Sequence, residues 1–427
     1  MRLTSAVLRD HVRLAIVGGG SGGSAVAAKF SRILGASNVA VIEPKATHYY
    51  QPGFTLVGGG LMKLDSLIRS EESVLPQGVN LIRSKLSRFE PENNKLHFEE
   101  SPPLAYDYLV IATGVELRYD LIKNLPSALE TPGVCSIYLP QYAEKTFKEI
   151  QSLQKGNALF TFPNTPIKCA GAPQKICYIA EDYWRRNSVR QNIHISYNTS
   201  LGAIFGIPKY AASLMKQVES RGIELNTRTN LIEVDPEKKQ ATFELLNAEA
   251  QPTGKTIVKK YDLLHVGPPC SPVPVLREAA SANSPLVDGK GWVKVHPKTL
   301  QNETFNNVFG IGDCANTPNA KTAAAISSQF RALEANLTSV IAGKQPVSEY
   351  DGYASCPLVI NHNQAILAEF NGDGPLETLP IDQSKPRYLA YFLKRYFMPA
   401  LYWQGLVKGY WKGPKVIRKL LHLGFSK

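Results

Sequence analysis

The chain has 427 residues, 44% of them hydrophobic and 20% charged, which is the balance of a globular protein too long for one hydrophobic core, so two domains or more are expected. No run of about 18 uninterrupted apolar residues is present, which excludes a simple membrane-spanning helix, and six cysteines without a C-x-x-C spacing exclude a disulfide scaffold and a structural metal site. Of the net charge of +12, nine positive residues (Arg387, Lys394, Arg395, Lys408, Lys412, Lys415, Arg418, Lys419, Lys427) fall in residues 386–427, which hold no Asp or Glu; this excludes a broad nucleic-acid surface and points to one local basic contact region.

The first ten residues, MRLTSAVLRD, carry Arg2 and Arg9 and no acid before Asp10. They echo a transit peptide but are too short for one, so targeting is expected to be carried elsewhere or in a longer precursor.

Residues 12–17 (VRLAIV) form an apolar run expected to make a buried parallel strand. Gly18, Gly19, Gly20, Ser21, Gly22 and Gly23 follow at once, and residues 24–33 read as a helix. In the pattern Gly18-x-Gly20-x-x-Gly23, the first glycine permits a tight turn, the second admits a pyrophosphate close to the backbone, and the third lets helix approach strand. The helix start offers free N–H groups and partial positive charge to phosphates. The next strand, in NVAVIEP, ends at Glu43, placed to accept the ribose hydroxyls of an adenosine that lacks a 2'-phosphate.

Residues 106–114 (YDYLVIATG) read as a strand running into a turn at Thr113 and Gly114. They look like the second fingerprint of flavoproteins with two dinucleotide-binding domains. A third lies in NVFGIGD at residues 307–313; by likeness to those flavoproteins Asp313 would meet the ribityl and phosphate part of FAD, and the helix from Lys321 onward would aim its positive end at the flavin.

The segment that discriminates is residues 157–173, NALFTFPNTPIKCAGAP. In disulfide reductases and NADH dehydrogenases of this architecture the corresponding strand leads into a second glycine turn for NAD(P)H. Here it leads to Pro163, Pro166, Lys168 and Cys169. Electrons are therefore expected from a donor other than a pyridine nucleotide, with Cys169 where that donor meets the flavin.

The runs TFPNTPIKCAGAPQK, NTSLGAIFG, FGIGDCAN and DGYASCPLVINHNQAILAEF resemble the eukaryotic mitochondrial sulfide:quinone oxidoreductases, and the resemblance extends from the glycine turn to the basic tail. It implies FAD as cofactor, hydrogen sulfide as substrate, ubiquinone as electron acceptor, and a place on the mitochondrial inner membrane. It also implies Cys169 and Cys356 as the redox pair, with Gln51, Leu86 and Lys321 against FAD. Sulfide would attack a Cys169–Cys356 disulfide to give a persulfide and a thiolate, the persulfide on Cys356 by resemblance, with the swap left open. A positive charge at Lys168, or the following helix start, would favour the thiolate. Sulfite, glutathione or another thiol, or a further sulfide would then remove the sulfane sulfur. Cys177, Cys270 and Cys314 read as packing residues, Cys135 as packing or a neighbour of the site, and His48 and His362 as core or surface.

The tail, residues 386–427, alternates basic residues with ten aromatics, and Pro399 and Pro414 are expected to divide it into short helices lying on an anionic membrane; a helical pair docked on its own domain is the other reading. The fold class expected is α/β: two Rossmann-like dinucleotide-binding domains of the disulfide-reductase kind plus a C-terminal amphipathic membrane-associating region. The parts would be 11–120 with 295–365 for FAD, 121–294 for the second Rossmann-like domain, and 366–427 for the membrane and quinone region. Two rival readings stand beside this one, a membrane-bound NADH:quinone oxidoreductase of the same fold and a flavoprotein scaffold without turnover.

Overall fold

The computed structural model describes residues 10–424, so the first nine residues, where the targeting expectation falls, and the last three lie outside it. The strand His11–Val17 is parallel to Val39–Ile42 on one side and to Leu104–Ile111 on the other. Val39–Ile42 also pairs with Asn80–Ile82. Val308–Gly310 returns from far along the chain to pair with Leu109 through Ile111. These strands are near-continuous apolar runs because helices and loops cover both faces of the sheet. A hairpin, Leu86–Glu90 with Lys95–Phe98, extends the edge.

A second parallel sheet runs in the order Val134–Cys135, Leu263–His265, Gly156–Phe162, Ile193–Thr199, Glu224–Asn226. An antiparallel sheet of Thr229–Asp235, Gln240–Leu246 and Pro252–Lys260 is attached to it. The chain is thus an α/β protein with two Rossmann-like sheets. The hairpin Ala354–Val359 with Ala365–Asn371 spans the point, between residues 365 and 366, where the sequence reading ends the FAD-binding part. It places Cys356, Leu358, Ile366 and Ala368 in the core of the second sheet.

The first helix is Ser21–Leu34, three residues longer at its start than expected. Gly20 caps it in an extended conformation and its carbonyl accepts from Ser24 N–H at 2.9 Å, so the last glycines of the turn already belong to the helix.

In the tail, Pro399 does not divide the helix. Residues 388–406 run as one helical path, α-helical over Tyr388–Phe392, π-helical over Leu393–Phe397, α-helical over Met398–Leu401 and π-helical over Tyr402–Leu406. Proline lacks an N–H and its ring crowds the carbonyl one turn back; the wider π turn ahead of it absorbs both problems. Pro414 does mark a boundary, as the residue before the helix Lys415–Leu421. The tail is also docked on the body: Tyr402, Trp403, Leu406 and Val407 are buried in the core of the first sheet. Several of its charges turn inward as well. Lys412 pairs with Glu334, Lys415 and Arg418 with Asp351, and Lys408 donates to the Val74 carbonyl at 3.0 Å. Among the described residues no helix is long and apolar enough to cross a membrane.

Candidate active site

The glycine turn between the first strand and helix is held by sterics. Gly18 has φ +105°, and a Cβ there would run into the Ala112 carbonyl; one at Gly23 would run into the Gly18 carbonyl. Gly20 faces open space, so a ligand can approach its backbone. Glu43, just past Val39–Ile42, accepts from Gly19 N–H at 3.0 Å and from Lys45 N–H at 2.9 Å, which fixes its carboxylate beside the turn.

Gly20, Ser21, Gly22, Glu43, Gln51, Thr113, Gly114, Asp313 and Lys321 all line one cavity of about 750 Å³. Gly18 and Gly23 build the turn behind its wall. Leu86 stands apart, half-buried on the strand Leu86–Glu90 against the core of the first sheet rather than on the wall. The Thr113 hydroxyl is buried beside the cavity without a hydrogen-bond partner in the protein. Burial raises the Asp313 carboxyl while Lys321 and Lys168 act against the rise. Lys321 donates to the Asp313 and Ala315 carbonyls, at 2.7 and 3.2 Å, and lies over the Trp292 ring. An open turn, a fixed acid and a free buried hydroxyl along one wall fit an extended dinucleotide such as FAD.

Farther along the same wall, the strand Gly156–Phe162 passes through the two prolines to Cys169, which adopts φ +57° ahead of the helix Ala172–Arg186. This left-handed residue is tied down on both sides, its N–H donating to the Lys321 carbonyl at 2.7 Å and its carbonyl accepting from Ala172 N–H at 2.8 Å. Cys356, from Ala354–Val359, brings its Sγ to 3.7 Å from Cys169 Sγ. Gly171 makes that approach feasible, because a Cβ there would collide with Cys356 Sγ. Cys169 lines the cavity; Cys356 is buried behind it.

The hydrogen bond with the Cys356 thiol, and after it the charge and hydrogen bond of Lys175, hold the Cys169 thiol well below the usual range despite its burial. The same contact and burial push Cys356 up. Lys175 Nζ donates to Cys169 Sγ at 3.2 Å. Burial disfavours the Lys175 ammonium, but the cysteine pair outweighs it and raises the Lys175 pKa. A second lysine, Lys394 from the C-terminal helix, is buried nearby, its Nζ 2.8 Å from the Pro52 carbonyl; burial and the Lys175 charge lower its pKa to about 7.

Neither lysine was read from the sequence. Lys168, adjacent to Cys169 and expected to serve it, instead donates to Gln51 Oε1 at 2.7 Å. Lys175 was available in the run KCAGAPQK, since it occupies the first turn of the helix that starts three residues after the cysteine. Lys394 lies 225 residues from Cys169, and no local signal joins them.

The remaining cysteines are buried, which pushes Cys135 to about 12, Cys270 to about 11, and Cys177 and Cys314 upward. Cys135 sits in the core of the second sheet, off the cavity wall. His362 is half-exposed and meets Asp182 Oδ2 at 3.0 Å. His48 is buried on the cavity wall between Glu71 and Tyr402. The tail gives the cavity an apolar stretch of wall, Leu393, Phe397, Met398, Leu401 and Ile417.

The family model described as pyridine nucleotide-disulphide oxidoreductase matches residues 12–161. The chain is 45% identical over 419 residues to the mitochondrial sulfide:quinone oxidoreductase of Mus musculus, covering 98% of this chain and 91% of that protein. It is 40% identical over 414 residues to the mitochondrial sulfide:quinone oxidoreductase of Dictyostelium discoideum, covering 96% and 89%. The X-ray structure of the sulfide:quinone oxidoreductase from Aquifex aeolicus superposes with a TM-score of 0.79 over 98% of this chain and 96% of that one, at 20% identity, a likeness in fold. Identity of this extent over nearly the whole length, on a fold with a dinucleotide turn, shows that the chain belongs to the sulfide:quinone oxidoreductases, a family of FAD-dependent flavoenzymes.

Proposed function

We propose that sulfide is oxidised at the Cys169–Cys356 pair, with FAD along the glycine-turn wall and quinone reduced at the apolar end of the same cavity. The observation that carries this reading is the pair itself: two sulfurs 3.7 Å apart, a lysine amine 3.2 Å from one of them, on the cavity that begins at the glycine turn. When bound, FAD supplies a two-electron acceptor between the cysteines and quinone. Gly18 to Gly23, Glu43, Thr113, Gly114, Asp313 and Lys321 would hold it, with Gln51 at its edge.

In the oxidised pair, HS⁻ attacks one sulfur of the disulfide, forming a new S–S bond as the old one breaks. The better leaving thiolate is the one that a neighbouring positive charge stabilises, which is Cys169, 3.2 Å from Lys175 Nζ. Attack therefore falls on Cys356, which keeps the sulfane sulfur as a persulfide, and Cys169 leaves as thiolate. Transfer of that sulfur to a small nucleophile (sulfite, glutathione or another thiol, or sulfide) leaves two reduced cysteines, which close again on losing two electrons.

We further infer that the tail rests on the mitochondrial inner membrane. Tyr388, Leu389, Phe392, Tyr396, Val416, Leu420 and Leu423 are exposed together with Arg387 and Lys419, an apolar face edged by cations that suits an anionic interface. Phe397 and Ile417 are exposed and also line the cavity, giving a lipid-soluble quinone a route inward.

The test is spectroscopic. Sulfide should bleach the visible flavin absorbance and added quinone should restore it, whereas NADH should leave the colour unchanged. Bleaching by NADH and not by sulfide would transfer the protein to the NADH:quinone reading, which the proline-rich loop after Gly156–Phe162 disfavours.

A further inference from the structure

A buried hydrogen-bonded chain joins the dinucleotide turn to the C-terminal helix. The Ser21 hydroxyl, in the first turn of the helix Ser21–Leu34, is 2.9 Å from the Tyr402 hydroxyl. The Tyr402 hydroxyl is 2.6 Å from His48 Nε2, and His48 Nδ1 is 3.1 Å from Glu71 Oε2. The other carboxylate oxygen, Glu71 Oε1, is buried with no partner in the protein, and a Cβ placed on Gly19 would collide with it. Glu71, His48 and Tyr402 are 2, 3 and 4% exposed, and all three line the cavity with Ser21.

A buried carboxylate oxygen without a donor is costly unless a ligand or water completes it. The chain therefore starts and ends at the place where a dinucleotide phosphate and ribose would lie, and its hydrogen-bonded link to the tail is the Tyr402 hydroxyl, with the Trp403 ring packed 5.6 Å from the His48 ring beside it. Tyr402 belongs to the same helix as Leu393, Met398 and Leu401, which wall the apolar end.

We propose that Tyr402, His48 and Glu71 are positioning residues of the dinucleotide site, linking FAD occupancy to the seating of the C-terminal helix. FAD bound at the turn fixes Ser21 and satisfies Glu71; these hold His48 and Tyr402, and through Tyr402 the helix that walls the quinone end. By linkage, loosening the helix must weaken FAD to the same extent that losing FAD loosens the helix. The proposal rests on the placement of FAD at the glycine turn.

The experiment measures FAD release from the holoenzyme by the fluorescence of the freed flavin, and hydrogen exchange of residues 388–406 across a range of free FAD concentrations. Tyr402→Phe, which keeps the ring and removes one hydroxyl, should raise the Kd for FAD on the order of threefold to tenfold, the worth of a hydrogen bond. It should also flatten the dependence of helix exchange on FAD. Glu71→Gln, a second variant should Tyr402→Phe fold poorly, should do the same from the other end. Val407→Ala, which removes a buried contact just past the end of that helix and makes no side-chain hydrogen bond to the chain, should leave the FAD dependence of exchange intact. An unchanged Kd in Tyr402→Phe, or in Glu71→Gln, while Glu43→Ala weakens FAD, overturns the linkage and leaves the FAD placement standing. If Glu43→Ala also leaves the Kd unchanged, the placement itself fails and the linkage with it.

Discussion

Lys175 Nζ lies 3.2 Å from Cys169 Sγ, while Lys168, next to the cysteine in sequence, is bonded to Gln51. The Cys356 thiol and, after it, the Lys175 ammonium hold the Cys169 pKa well below the usual range. Lys175→Met should therefore move the pH midpoint of Cys169 alkylation in the reduced enzyme upward. At neutral pH, sulfide-dependent flavin bleaching should slow on the order of tenfold, since the leaving thiolate is less favoured. An alkylation profile that stays where it is in the parent enzyme would remove Lys175 from this role.

Cys169→Ser and Cys356→Ser should each abolish sulfide-dependent quinone reduction while retaining flavin colour, because serine preserves volume but forms neither disulfide nor persulfide. Cys177→Ser should remain active, as that thiol is buried off the cavity wall with its pKa pushed up by burial. Steady-state turnover and flavin content of the three variants decide the matter. An active Cys356→Ser enzyme would sink the two-cysteine mechanism.

Gly171→Ala tests the closeness of the pair without removing a sulfur. Its Cβ would collide with Cys356 Sγ, so the variant should hold FAD yet show two more free thiols than the parent after mild oxidation. Equal thiol counts in the two proteins would show that the loop moves aside at no cost.

Much of the fold was legible because its signals are local. A glycine turn between a buried strand and a helix is dictated by backbone sterics at Gly18 and Gly23, and apolar runs such as VRLAIV form parallel strands wherever both faces are covered. The cysteines' roles came from resemblance, and their meeting depends on a strand 187 residues downstream of Cys169. The tail was the hardest part to read. Aromatic residues between lysines look alike whether they face lipid or core, and only long-range packing separates Tyr402 and Trp403, which are buried, from Tyr388 and Tyr396, which are not. Pro399 misled for a related reason: the π turn that accommodates it leaves no compositional mark.

Lys394 provides a pH-dependent stability test. Its folded pKa of about 7 lies below the roughly 10.4 of an unfolded lysine, so between those values the unfolded chain binds the extra proton and stability rises with pH. Below pH 7 the folded protein carries a buried ammonium beside Lys175, and that cost is fully present. Lys394→Met should thus gain most on its parent near pH 6, and the advantage should shrink by roughly 1–3 kcal/mol by pH 9. Urea midpoints at the two pH values measure this; an advantage that grows with pH would reverse the sign and refute the assignment.

Membrane contact needs a finer cut than removal of the tail. Deleting residues after Lys385 would withdraw Tyr402, Trp403, Leu406 and Val407 from the core of the first sheet and Lys394 from beside the cysteines. Loss of FAD is the expected result, which says nothing about lipid. The exposed face can instead be made polar by Tyr388→Ser, Phe392→Ser, Tyr396→Ser and Leu420→Ser, none of which lines the cavity. The combined variant should leave anionic liposomes and lose reduction of long-tailed quinone, while sulfide still bleaches its flavin. Salt should matter less than nine positive charges would imply. At about 1 kcal/mol for each cation near an anionic surface, the five turned toward the protein (Lys394, Lys408, Lys412, Lys415 and Arg418) contribute little. The apolar face then carries most of the attachment, and it is not screened. Liposome binding that persists in the four-serine variant would place the membrane contact elsewhere on the molecule; binding abolished by moderate salt alone would restore the basic residues to the leading role.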